Sequence, residues 1–140
     1  MAVEEIDFEE DARRYRYLLD TSVVLWVTAE PERLSKTAAA IWRTPDTPVA
    51  VSVISYWEIA IKAGKLGIGD VAKWWEHRVM PFVDMEPIPV REEHIADLLL
   101  LPRLHKDPFD RMLIAQARVE KMPLVTADSQ IQAYDVHTVW

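Results

Sequence analysis

Short apolar runs recur along the chain, separated by longer amphipathic segments. The clearest run, Val49–Ile54, is rich in β-branched residues and has no polar face. Shorter runs occupy Tyr15–Asp20, Leu124–Thr126 and Val136–Trp140. Runs of this kind are typical of strands that are buried on both sides. We therefore predict strands at these four places. At most a short edge strand is expected within Phe82–Val90, because its prolines remove hydrogen-bond donors from a ladder.

The segments between the predicted strands carry helix signals. Ser35 precedes an Ala-rich stretch, and Asp107 is followed by proline at the first helical position. Ser55 and Glu58 have the spacing of a capping box, and Gly64 follows as an expected C-cap. The predicted helices begin at Thr21 or Ser22, Leu34, Ser55, Asp70, Arg91, Phe109 and Asp128.

The order of these elements predicts an α/β fold in which helices cover both faces of a mostly parallel sheet. The length of 140 residues suits a single domain, which we place at 15–140. Six of the 23 acidic residues lie within the first 11 positions, so we interpret 1–14 as an acidic N-terminal extension. The rest of the chain carries 17 acids and 16 bases, and this near-neutral body is compatible with a nucleic-acid partner.

The composition excludes several kinds of chemistry. The chain has no cysteine, which rules out disulfides, Cys-ligated zinc, iron–sulfur clusters and thiol catalysis. No apolar run approaches the ~20 residues of a membrane span. The acidic start also differs from a signal peptide, which begins with basic residues. These features predict a soluble cytoplasmic domain with no membrane partner.

Four acidic residues fall where predicted strands end or where the next helix begins. Asp20 closes the first strand, and Asp128 follows the strand at 124–126. Glu58 and Asp110 lie in the first turns of predicted helices. Because sites in parallel α/β sheets form at the carboxyl ends of strands, we expect these carboxylates to converge. Their mutual repulsion would be relieved by Mg²⁺ or Mn²⁺, which prefer oxygen ligands and can activate water for attack on a phosphodiester.

Each of these acids also has a purely structural interpretation, because acids are favoured in the first turn of any helix. Glu58 would complete the capping box with Ser55, and Asp128 would act as an N-cap. Asp20 has the least evident structural use, since it is a bare acid that closes a buried strand. We interpret Asp107 chiefly as an N-cap, which could also help to shape the site.

Other polar and aromatic residues receive simpler interpretations. His94 and His105 are expected at the surface or in loops. The tryptophans recur at helical spacings, which indicates packing in the core or at an interface. The Trp-rich early helices are more apolar than one small domain needs, which favours a homodimer. Five basic residues are expected near the edge of the site, where they could contact phosphates: Lys62, Lys65, Arg103, Lys106 and Arg111.

Four segments of the chain, in order, carry a family resemblance. The segments LLDTSVVLW, SVISYWEIAIK, HKDPFDRMLIAQA and LVTADSQIQAY resemble the signature segments of PIN-domain proteins, in particular the VapC-like toxins of prokaryotic toxin–antitoxin pairs. The resemblance covers about residues 16–140, and the third segment is its most specific part. It implies a small three-layer α/β/α sandwich around a mostly parallel sheet.

The resemblance also implies a function, that of a Mg²⁺- or Mn²⁺-dependent endoribonuclease with an RNA substrate. A cognate antitoxin protein is the usual partner, together with a homodimer or a higher assembly with the antitoxin. Thr126 would assist by hydrogen bonding near the metal. The catalytic and metal-binding acids would be Asp20, Glu58, Asp110 and Asp128.

Two features leave other functions open. Close relatives often carry His where this chain has Ser22, and the acidic extension is unusual for the family. The alternatives are a catalytically silent PIN-like binding module and a phosphoacceptor signalling domain. The silent module is disfavoured because all four acids are present. The signalling domain is disfavoured because Thr21 and Ser22, and not a second acid, follow Asp20, and because Lys121 lies on the wrong side of its strand.

Overall fold

A computed structural model describes residues 16–140, so the predicted acidic extension at 1–14 lies outside the described residues. In this part of the chain four short strands form one sheet in the order β2-β1-β3-β4, and all three pairings are parallel. The prediction of a mostly parallel sheet is therefore confirmed. The strands are β1 (Tyr17–Leu19), β2 (Val49–Ala50), β3 (Leu124–Val125) and β4 (Thr138–Val139).

Seven helices surround the sheet within residues 16–140. A single π turn, Trp75–Val79, continues the fourth helix, and short 3₁₀ turns occur at Pro31–Arg33 and Met80–Phe82. None of these helices is long and apolar enough to cross a lipid bilayer. The helices are α1 (Thr21–Ala29), α2 (Lys36–Arg43), α3 (Val53–Leu66), α4 (Val71–Trp74), α5 (Glu92–Leu100), α6 (Pro108–Glu120) and α7 (Ser129–Gln132).

Neighbouring residues of β1, β2 and β3 enter two separate hydrophobic cores, because successive side chains of a strand point to opposite faces. Leu18 and Leu124 pack with residues of α6 and α7. Leu19 and Val125 pack with residues of α1 to α4. Helices therefore cover both faces of the sheet, and the expected three-layer α/β/α sandwich is confirmed.

The second strand is shorter than the apolar run that predicts it. It ends at Ala50, and Ser52 makes an isolated parallel bridge with Ile88. The Ser52 hydroxyl accepts a hydrogen bond from the Ile54 N–H at 3.0 Å and donates one to the Gln116 side chain at 2.5 Å. Helix α3 consequently begins at Val53, since a capping residue fixed from another helix overrides the local β preference.

Helix α3 also ends later than the sequence indicates. Gly64 lies inside the helix, and the C-cap is Gly67, which adopts φ 71°. The N–H of Gly67 bonds to the carbonyl of Ala63. A left-handed residue at a helix end favours glycine because it has no Cβ. The prediction of Gly64 as the C-cap is therefore wrong by about one turn.

The topology brings several chain segments to one edge of the sheet. Because the pairings are parallel, β1, β2 and β3 all end at the same side, and α1, α3 and α7 begin there. Helix α6 packs against α3 and α7. The first turns of these helices therefore surround one region, as expected for an open parallel sheet.

Candidate metal centre

Asp20 joins the end of β1 to the start of α1. Its Oδ1 accepts a hydrogen bond from the Val23 N–H at 2.8 Å, so Asp20 itself is the N-cap. The prediction that Thr21 or Ser22 caps this helix is wrong. Asp20 is only 4% exposed, and its backbone N–H bonds to Val125 of the neighbouring strand. The residue thus has a structural use that the sequence analysis missed, and it is fixed in place by two elements.

Glu58 lies in the second turn of α3, not in the first. The expected capping box with Ser55 is wrong, because Ser52 is the cap and the Ser55 hydroxyl is paired with that of Thr21 at 3.0 Å. Glu58 is 5% exposed, and its Oε2 accepts a hydrogen bond from Lys62 Nζ at 2.6 Å. Its Oε1 is buried without a hydrogen-bond partner in the part of the chain that the structure describes.

Asp107 and Asp110 open helix α6. Asp107 is confirmed as the N-cap, since its Oδ1 accepts hydrogen bonds from the N–H groups of Phe109 and Asp110 at 2.9 and 3.1 Å. Asp110 lies in the first turn, as predicted, and its Oδ2 is 3.2 Å from His105 Nε2. His105 lies in the loop before α6, in agreement with the expectation of a surface or loop position, but its side chain is only 6% exposed.

His94, the other histidine expected at the surface or in a loop, is instead fully buried within α5. Its Nδ1 accepts the Arg91 N–H, and its Nε2 is 3.0 Å from Glu120. It therefore joins α5 to α6 and does not line the cavity of the four predicted acids. The contact with Arg91 is local, but the contact with Glu120, 26 positions later, could not be read from the sequence around His94.

Thr126 and Asp128 follow β3. Asp128 is confirmed as the N-cap of α7, with its Oδ1 accepting the Gln130 N–H at 2.8 Å. The Thr126 hydroxyl accepts the Asp128 N–H at 3.1 Å and donates to the Asp20 carboxylate. Thr126 is fully buried and so links two of the acidic positions from behind.

All four predicted acids line one cavity of about 180 Å³. They come from four separate segments of the chain, and Asp107 adds a fifth carboxyl group. Lys62 also lines this cavity, in agreement with the expectation of a basic residue near the edge of the site. The structure therefore brings the predicted carboxylates together.

Burial and the closeness of these acids raise the pKa values of two of them. Burial raises the pKa of Asp20 from 3.8 to about 6. Hydrogen bonds from Thr126 and Val23 lower this pKa, whereas the negative charges of Asp128 and Glu58 raise it further. Burial likewise raises the pKa of Asp110 to about 6, with a further contribution from Asp107. The pKa of Lys62 is raised, chiefly by its hydrogen bond to Glu58.

The donor set fits a hard divalent cation. It consists of carboxylate oxygens, one of which is buried and unpartnered, and their repulsion is the kind that such a cation relieves. In their present orientations no three acidic or His side chains within residues 16–140 stand close enough together to hold a metal ion. Instead, backbone N–H groups donate hydrogen bonds to Asp20 and Asp128, and the Lys62 ammonium donates to Glu58. Binding would require these side chains to rotate.

A parallel sheet with carboxylates from separate segments at one edge is an arrangement found in metal-dependent hydrolases of phosphodiesters. The model of the PIN domain family matches residues 17–136, so the chain belongs to this family. Ribonuclease VapC22 from Mycobacterium tuberculosis (strain ATCC 25618 / H37Rv) is 29% identical over 120 residues, which cover 84% of this chain and 90% of that relative.

Two solved structures share the fold. One is the crystal structure of VapBC2 from Rickettsia felis bound to a DNA fragment from their promoter, with a TM-score of 0.62 and 13% identity. The match covers 89% of this chain and 97% of the other. The second is VapBC-5 from Mycobacterium tuberculosis, with a TM-score of 0.55, 22% identity and coverage of 85% and 90%.

The raised pKa of Asp110 leads to a test by pH-dependent stability. Between about pH 4 and pH 6 the folded protein binds more protons than the unfolded chain, so ionisation of Asp110 opposes folding above that range. Asp110→Asn should therefore raise the free energy of unfolding at pH 8 by about 1–2 kcal/mol, after discount for solvent screening in an open cavity. At pH 4 it should change little.

Urea unfolding without divalent cations, at both pH values, measures this difference. Asp46→Asn, in an exposed turn before β2, is the matched control and should show no such pH dependence. Equal effects of Asp110→Asn at pH 4 and pH 8 would contradict the electrostatic account.

Proposed function

We propose that this chain is a metal-dependent endoribonuclease and the toxin of a type II toxin–antitoxin pair. The observation that carries the proposal is the convergence of four carboxylates on one cavity at the carboxyl edge of a parallel sheet. The ribonuclease name of the VapC22 relative supports RNA as the substrate. The two VapBC structures support an antitoxin as the partner.

Asp20, Glu58, Asp110 and Asp128 are the proposed ligands of Mg²⁺ or Mn²⁺. Such a cation, when bound, lowers the pKa of a water molecule and offsets the charge that develops on a phosphodiester during hydrolysis. The protein residues hold this arrangement in place. Thr126 supports it from behind by hydrogen bonds to both Asp20 and Asp128.

Basic residues outline a path for the RNA backbone. Lys62 is half exposed at the rim of the acid cavity, where its ammonium group can turn from Glu58 to a phosphate. Arg103, Lys106 and Arg111 line an adjoining cavity of about 640 Å³. The Arg111 guanidinium already bonds to the Pro102 carbonyl at 2.7 Å, so its main use there is structural.

The alternatives of the sequence analysis are less well supported by the geometry. Lys121 caps the end of α6 immediately before β3, at the sheet edge opposite the acids, where it could not contact a phosphoacceptor. A silent binding module would have no need for the buried and unpartnered oxygen of Glu58. We therefore retain the nuclease as the proposed function.

The antitoxin is proposed to enter the acid cavity from a neighbouring groove. This groove has a volume of about 670 Å³ and lies beside Trp26 and Trp74. It shares Leu25 and Leu66 with the lining of the acid cavity. An extended segment in the groove could therefore place a basic side chain among the carboxylates, in place of the metal.

A second copy of the chain is proposed to cover an exposed apolar surface on α5. Ile95, Leu99, Leu100 and Leu104 are 46–79% exposed, and such a cluster is typical of an interface. The tryptophans on which the dimer prediction was based are mostly half-buried or buried, with Trp57 as the exposed exception. The proposed dimer surface therefore differs from the predicted one.

We further propose a cytoplasmic location, where RNA and an antitoxin would both be met. The proposed domain comprises residues 15–140. The acidic N-terminal extension at 1–14 has no part in the proposed activity.

Substitution of Glu58 tests the nuclease proposal. Glu58→Gln keeps the shape of the side chain and an oxygen that accepts from Lys62, but it removes the charge that binds a divalent cation. We expect stability within about 1 kcal/mol of the parent. Cleavage of single-stranded RNA with Mg²⁺ or Mn²⁺ should fall by about 100-fold or more.

The matched control is Glu76→Gln, an exposed glutamate of the π turn, which should cleave at the parent rate. Excess EDTA should abolish cleavage by the parent protein. Cleavage that persists in EDTA, or a Glu58→Gln variant as active as the parent, would refute the metal-dependent site.

Neutralisation of Asp20 tests the antitoxin proposal. Asparagine also caps helices well, so Asp20→Asn should preserve α1 while removing a charge from the cavity. The affinity for the cognate antitoxin, measured by calorimetry, should fall at least about tenfold if a basic side chain enters the site. Asp46→Asn should bind with the parent affinity. An unchanged affinity of Asp20→Asn would argue against this contact.

A charge on α5 tests the dimer. Leu99 is 76% exposed, so Leu99→Glu should leave the fold intact and convert a dimer to a monomer by light scattering. Ile61→Glu places the same charge on a similarly exposed residue of α3 and should leave the dimer intact. A monomeric parent protein at high micromolar concentration would contradict the dimer, and dissociation by Ile61→Glu alone would contradict the proposed surface.

A further inference from the structure

The hydroxyl of Tyr134 is surrounded by hydrogen-bond donors. The backbone N–H groups of Leu104 and His105 each lie 3.2 Å from its oxygen, and the Arg111 guanidinium lies 3.0 Å from it. The same oxygen is 2.9 Å from His105 Nδ1. Tyr134 is only 4% exposed, so these contacts form inside the protein.

The identity of these groups determines where the hydroxyl proton goes. Backbone N–H and guanidinium groups donate and never accept. The Tyr134 proton therefore has one acceptor among its contacts in the described chain, which is His105 Nδ1. Neutral histidine carries a single ring proton, so an accepting Nδ1 places that proton on Nε2. Nε2 then donates to Asp110 Oδ2 at 3.2 Å.

We propose that Tyr134 and His105 form a positioning pair that fixes the rotation of the Asp110 carboxylate for metal binding. The proposal rests on the proposed function in taking Asp110 as a metal ligand. Tyr134 donates to Nδ1 and so holds the histidine ring in place with its proton on Nε2, and His105 holds one oxygen of the carboxylate by a hydrogen bond. Partners of this kind orient carboxylate and imidazole ligands in metal sites generally.

The surrounding loop is built to keep the pair in place. Arg111 follows Asp110 in the chain and bonds to both the Pro102 carbonyl and the Tyr134 hydroxyl. The Tyr134 and His105 rings also pack against each other, with centroids 5.3 Å apart. One turn of α6 thus presents Asp110 to the cavity and anchors, through Arg111, the loop that carries His105.

Nitrogen-15 NMR of the histidine ring tests the tautomer directly, without metal or RNA. In the parent protein at pH 8, His105 should show an unprotonated Nδ1 and a protonated Nε2. Tyr134→Phe should shift the Nδ1 signal of His105, since this nitrogen loses the hydrogen bond donated by the tyrosine hydroxyl. Tyr56→Phe, which removes a hydroxyl from a ring packed on Trp75, is the control and should leave the His105 signals unchanged.

Binding of Mn²⁺, followed by electron paramagnetic resonance, tests the consequence for the site. Tyr134→Phe and His105→Leu should each weaken Mn²⁺ binding by about tenfold or more. His105→Gln should retain most of the affinity, because its amide N–H can donate to Asp110 and has no tautomer to select. In the His105→Gln background, Tyr134→Phe should therefore have little further effect on Mn²⁺ binding.

The two readouts separate failure of this proposal from failure of the proposed function. A protonated Nδ1 in the parent protein, or unchanged His105 signals in Tyr134→Phe, would overturn the positioning pair. Equal loss of Mn²⁺ affinity in His105→Gln and His105→Leu would overturn it as well. Absence of Mn²⁺ binding by the parent protein, with the expected tautomer present, would instead refute the metal centre.

Discussion

Repulsion among carboxylates within about 180 Å³ is the constraint on which the rest of the site depends. Each acid is held by a donor close to it in the chain. Asp20 and Asp128 accept N–H groups from the helices they cap, and Glu58 accepts from Lys62 one turn later. Asp110 accepts from His105, five residues earlier. These local donors allow the fold to gather like charges that would otherwise separate.

Helix capping and metal binding draw on the same chemistry, which explains how one residue can serve both. A carboxylate at an N-cap offers an oxygen to a backbone N–H and retains a second oxygen for another partner. In a parallel sheet the helix starts cluster at the carboxyl ends of the strands. Asp20 and Asp128 thus stabilise α1 and α7 while they line the cavity. The structural and functional interpretations of these acids are therefore not exclusive.

Local patterns in the sequence were enough for the order of the elements and for the convergence of the four acids. Two of the errors arose where a distant residue decides the local structure. Ser52 and not Ser55 caps α3, because Gln116, 64 positions away, accepts the Ser52 hydroxyl. His105 is buried by Tyr134, which lies 29 positions later. No periodicity around Ser52 or His105 contains that information, so their roles required the tertiary structure.

The present hydrogen bonds also determine which carboxylate oxygens remain for a positive group that enters the site. Lys62 holds one oxygen of Glu58, and the other is buried without a partner in the described chain. A metal ion or the basic side chain of a partner would each satisfy that second oxygen and offset the raised pKa of Asp20 and Asp110. Both would draw on the same carboxylates of the cavity lining. In the proposed toxin the cofactor and the inhibitor would therefore compete for the same charge, and inhibition would require no conformational change beyond rotation of these side chains.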